Sequence, residues 1–130
     1  MDLDTGRLSQ KEINLVLNSL PLDITLVDAS DQVKYFNRFE ERFFKRPKSV
    51  IGKEVQNCHP KKSLAAVEEI LNDFKSKKRD SASFWLHLKD RFIYIRYCPI
   101  YDDSGNYLGC LEASQDITDI SKLEGEKRLL

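Results

Sequence analysis

Ile13, Val16, Leu17 and Leu20 recur at helical spacing between Ser9 and Pro21, and Ser9 with Glu12 has the spacing of a capping box. The stripe predicts an amphipathic first helix that Pro21 ends. Two short strand-like runs follow, DITLVD (23–28) and QVKYFN (32–37), parted by Ala29, Ser30 and Asp31, which supply turn chemistry for a hairpin. Asn37 with Glu40 again fits a cap, and Phe39 with Phe43 gives a helix of about two turns its apolar side. Pro47 and Gly52 break the next stretch into irregular turns. Ser63 then caps a longer helix with Leu64, Val67, Ile70, Leu71 and Phe74 on one face, running into the charged segment KSKKRD. From Ser83 the period changes to two: SFWLHL, RFIYIRYCPIYD and NYLGCLEASQDIT read as three antiparallel strands joined at Lys89-Asp90 and at DDSGN. The whole is an α+β plan with one five-stranded antiparallel sheet, left through a segment that begins near Asp116.

A two-residue turn at Lys89-Asp90 fixes a register: Leu88 opposite Arg91, Leu86 opposite Ile93, Phe84 opposite Ile95. One face then carries Phe84, Leu86, Leu88, Ile93, Ile95 and Tyr97. The other carries Trp85, His87, Phe92, Tyr94, Arg96 and Cys98. Both are apolar or aromatic enough to require cover. The aliphatic face suits a pocket, and the stripe of the first helix is the available lid for the aromatic one, within the chain or across a dimer.

At 130 residues and 41% hydrophobic, the chain fits one domain. Its 21 basic and 21 acidic residues are scattered, which argues against a nucleic-acid or lipid-surface footprint. No apolar run is long enough to span a bilayer, and MDLDTGRLSQ lacks the charged-then-apolar order of a signal peptide, so a cytoplasmic protein is expected. Three cysteines without close paired spacing point to free thiols rather than a disulfide framework or a four-thiolate zinc site.

The densest candidate chemistry is QNCHPKKS (56–63), where Cys58 and His59 stand together before Pro60. The pair either shapes a bend or reaches a ligand. A transition-metal site needs at least three convergent ligands, and His87 falls on the opposite sheet face, so no metal site is expected. There is no glycine-rich phosphate loop, nucleophile elbow or metalloprotease helix motif, and no enzymatic activity is expected.

ITLVD followed by QVKYFN, the phrase VIGKEVQNCHP before the long helix, the hairpin PIYDDSGNYLG and the closing QDITDI together resemble a PAS domain over nearly the whole chain. QNCHPKKS is also similar to PAS modules found beside hemerythrin-like domains. The resemblance implies a flanking helix at 1–21, the PAS domain at 22–119, and a linker at 120–130 toward a possible output domain; Ile120, Leu123, Lys127 and Leu130 sketch a weak heptad there. It further implies a sensory module that binds a small molecule and signals through its flanking helices. The ligand-binding residues expected on that basis are Asn57, Cys58, His59, Ile93, Ile95, Tyr97, Cys110, Glu112 and Ser114.

Glu112 carries a conflict. Hydrophobic alternation turns Leu111 and Ala113 inward, whereas comparison with PAS domains turns Cys110, Glu112 and Ser114 inward, where Tyr97, Asn57 or His59 could partner the carboxylate. The inward reading is preferred. Leu17, Trp85, Phe92 and Tyr94 are the expected homodimer interface. One alternative is a ligand-free dimerisation or docking module. Another is a haem sensor with His59 as axial ligand. A flavin is not expected, because the light-sensing PAS branch has GxNCRFLQ where this chain has Gly52-Lys53-Glu54-Val55-Gln56-Asn57-Cys58-His59.

Overall fold

The computed structural model describes residues 1–38 and 40–130, with the side chains of Asn57 and Cys58 left aside. A minimal hairpin of β1 (Asp2–Leu3) and β2 (Gly6–Arg7) precedes helix α1 (Gln10–Ser19), which opens on the capping box of Ser9 and Glu12. Strands β3 (Asp23–Asp28) and β4 (Val33–Phe36) form the expected hairpin. Helix α2 (Lys61–Lys75) follows two short 3-10 turns, Lys48–Val50 and Val55–Cys58, and leads to β5 (Ala82–Leu88), β6 (Arg91–Tyr101) and β7 (Tyr107–Asp116). The five main strands lie in the order β4-β3-β7-β6-β5, all antiparallel. The first and last strands of this sheet thus meet at its centre, where β3 pairs with β7.

The β5–β6 register is the expected one, with Leu88 opposite Arg91 and Phe84 opposite Ile95. Lys89 adopts a φ of 59° at the turn, as primed two-residue hairpin turns require. Gly109 is needed for a different reason: a Cβ there would sit 2.0 Å from the Val27 carbonyl oxygen, so any side chain would push β7 off β3.

Helix α2 buries Val67, Ile70, Leu71 and Phe74 against the sheet's inner face, joining Val27, Val33, Val55, Ala82 and Cys110 in the core. Phe74 is fully buried, and its truncation to alanine should cost about 3 to 5 kcal/mol. Helix α1 behaves differently. It buries none of its residues, Val16 is half exposed, and Trp85 on the outer face is 64% exposed, so α1 does not cover the aromatic face within the chain.

Three local expectations fail. Residues 37–38 and 40–46 form no helix, because Asn37 serves the tertiary structure instead of a cap. Its amide donates to the carbonyls of Leu17 and Leu22 and its oxygen accepts the Ile24 amide, tying the end of α1 to β3. The expected place of Phe39 lies outside the described residues. Helix α2 begins at Lys61, two residues before its expected cap; Pro60 holds the cap position, and Ser63 Oγ donates back to the Pro60 carbonyl. The segment after Lys122 continues without helix, so the weak heptad forms no coil here.

Candidate ligand-binding cleft

Between α2, the 44–46 segment and the β5–β6 hairpin lies a partly open cleft of about 630 Å³. Phe84, Leu86 and Ile95 form its sheet wall, and Val67, Ile70 and Ala66 its helix wall. Alternation along paired strands makes this inevitable: residues directly opposite share a face, so Phe84 and Ile95 fall beside Ser114, and Tyr97 beside Glu112.

That register settles the direction of Glu112. It is 6% exposed and lines the cleft, whereas Leu111 and Ala113 take the other face. The alternation reading that put Glu112 in water fails because the inner face of β3 and β7 is itself polar: Asp23, Thr25, Glu112 and Ser114 are all buried. The partner of Glu112 is Arg46, whose Nη2 lies 3.3 Å from the carboxylate, rather than Tyr97 or His59. Arg42 fills the floor beside it, donating to the carbonyls of Ile24, Asn37 and Phe44 and to Thr25 Oγ1. Burial draws Arg42 below its ordinary pKa, an effect that nearby Asp23 opposes.

His59 lines the cleft where the chain turns before Pro60. Its Nδ1 lies 3.0 Å from the Val55 carbonyl, which can only accept, so in the neutral ring Nδ1 carries the proton. Nε2 is then free to accept from the Tyr97 hydroxyl 3.5 Å away. Burial, aided by the charge of Glu112, pushes the Tyr97 hydroxyl upward and keeps it a donor. Val55 thus holds the ring through Nδ1, while Nε2 faces Tyr97 with only a long contact. Among the described residues no three His, Cys, Asp or Glu side chains gather as a metal site.

The expected site residues divide accordingly. His59, Ile95, Tyr97 and Glu112 line the cleft together. Ile93, Cys110 and Ser114 share the inward face but are sealed in the core and do not line it. The side chains of Asn57 and Cys58 lie outside the described residues. Sequence reasoning missed Arg46, Arg42 and Lys45; the one local hint is the recurrence of arginine at 38, 42 and 46 among aromatic residues. On the outer face Trp85 stands exposed, His87 stacks on Phe92 at 4.7 Å, and Tyr94 donates to Ser83.

The exit of the sheet is also built. Asp116 accepts from both the amide and the hydroxyl of Thr118, and the same hydroxyl accepts the Phe92 amide at 2.8 Å. The Thr118 bonds draw the Asp116 pKa down, and the Phe92 bond pins the chain's departure to the start of β6.

The model of the PAS domain family matches residues 13–118. The chain belongs to that family. Among solved structures, a C-terminal domain from Streptococcus mutans is 34% identical and superposes with a TM-score of 0.88, covering 95% of this chain and 96% of that one. The PAS domain of Bordetella pertussis BvgS has 18% identity and a TM-score of 0.62, with 86% and 88% covered. A sensory box sensor histidine kinase from Vibrio cholerae has 16% identity and a TM-score of 0.59, with 82% and 89% covered. The latter two share the fold. A search of curated proteins gave no match.

Proposed function

We propose that this PAS domain is a sensory module that binds a small molecule in the cleft and passes the state of the cleft to α1 and to the segment after Ile117. The observation that carries this reading is a mostly apolar cavity with a few converging polar groups, the usual make-up of a small-ligand site. Asn37 links β3 to α1, and the Asp116–Thr118–Phe92 bonds link β6 to the exit, so both flanks are mechanically attached to the sheet that walls the cleft. The likeness to a sensory box sensor histidine kinase supports a signalling output through a further domain or a partner protein.

A homodimer completes this reading. The stripe of α1 and the Trp85 face are two apolar surfaces of one chain that do not cover each other, and a second copy related by a two-fold axis lets each meet its counterpart.

The test is native mass spectrometry of the purified protein together with its near-ultraviolet and visible absorption. A retained small molecule is expected, lost more readily from His59→Ala than folding is. A bare chain with unaltered dimerisation would favour the ligand-free docking module instead.

A further inference from the structure

We propose that the molecule received by the cleft is an apolar monocarboxylate, its carboxylate on Arg46 and its tail between α2 and the β5–β6 hairpin. The proposal rests on the reading of the cleft as a ligand site and adds the chemistry of the ligand.

Charge balance is the first ground. Lys45 and Arg46 line the cleft, and Arg42 stands behind them with only 5% exposure. Every hydrogen bond of Arg42 goes to a neutral oxygen. Asp23, which Arg38 and the Phe43 amide also engage, stands close enough to Arg42 to offset its charge. Among the described residues that line the cleft, Glu112 is the one carboxylate beside two cations, Lys45 at the exposed rim and Arg46 within, so the lining carries a net positive charge. An anion entering the cleft relieves it.

Arg46 is the second ground. Its side chain is only 10% exposed, its Nε is buried without an acceptor, and its contact with Glu112 runs through one nitrogen at 3.3 Å. A mature charge-assisted pair is shorter and often bidentate, near 2.7 to about 2.9 Å. The guanidinium is thus under-used, and a small turn of its side chain offers Nε to a second carboxylate. An ammonium ligand would have to compete with two cations for Glu112. A phosphate would bring a second charge that walls of Phe84, Leu86, Ile95 and Val67 cannot solvate.

Isothermal titration of the full chain with octanoate, octan-1-ol and octylammonium, which share a tail and differ in head group, tests this. Octanoate should bind about tenfold or more tighter than octanol, and Arg46→Met should reduce that preference to about twofold or less. Arg46→Lys should restore part of it. Octanol binding as tightly as octanoate, octylammonium binding best, or an octanoate preference that survives Arg46→Met would each overturn the carboxylate assignment and leave the cleft as a ligand site. Failure of all three probes to bind would overturn the cleft reading as well. Should Arg46→Met not fold, the ranking of the probes on the unaltered protein decides.

Discussion

Arg46 and Glu112, 66 residues apart in sequence, meet at 3.3 Å where the loop before α2 closes over β7. The pair joins the most irregular part of the chain to the centre of the sheet, and neither member has another carboxylate or guanidinium to turn to at salt-bridge distance among the described residues.

Removing either partner strands a buried charge. Arg46→Ala and Glu112→Ala should each destabilise the fold by about 3 kcal/mol in urea unfolding. Because both are nine-tenths buried, the double variant should cost less than the two together, with a coupling of about 1 to 3 kcal/mol. Strict additivity would mean that the contact is absent in solution.

Thr118 should act as the clasp of the exit. Its hydroxyl both donates to Asp116 and accepts from Phe92, so Thr118→Val removes two bonds while keeping the shape. A loss of about 1 to 2 kcal/mol is expected, with faster hydrogen exchange at the Phe92 amide than at Ile95. Unchanged exchange at Phe92 would show that the clasp does not hold.

The dimer is tested on the outer face. Trp85→Glu should shift sedimentation from dimer to monomer without unfolding, since Trp85 is 64% exposed and makes little of the core. A wild-type protein that sediments as a monomer at high concentration refutes the second copy.

Cys110 gives the fold an alkaline limit. Burial, then the charge of Glu112, pushes its thiol from the ordinary 9.0 up to about 12. The folded state therefore keeps a proton that the unfolded chain begins to lose near pH 9, and stability falls as pH rises from there toward 12. Urea midpoints at about pH 8 and about pH 10 should differ less in Cys110→Ala than in the wild type. An equal drop in both would assign the loss to other groups.

Much of the fold was legible because its signals are local. The Lys89-Asp90 turn and strict alternation set the β5–β6 register, and the stripe on α2 identified the helix that closes the core. The failures are non-local. Asn37 has the chemistry of a helix cap, yet it spends its amide on Leu17, Leu22 and Ile24, backbone groups that no nearby pattern contains. Arg42 and Arg46 were missed because the acceptors that hold them include groups on β3 and β7. Glu112 defeated the alternation rule for the same reason: its cation arrives from another part of the chain, and the pairing makes a buried carboxylate tolerable.

The most direct measurement is native mass spectrometry of the wild type beside Ala66→Trp, which sets an indole at the exposed helix wall of the cleft and leaves the core untouched. The wild type should carry a small-molecule adduct that denaturation releases, and Ala66→Trp should be folded and bare. A bare wild type, or an adduct that Ala66→Trp retains in full, would contradict ligand binding in this cleft.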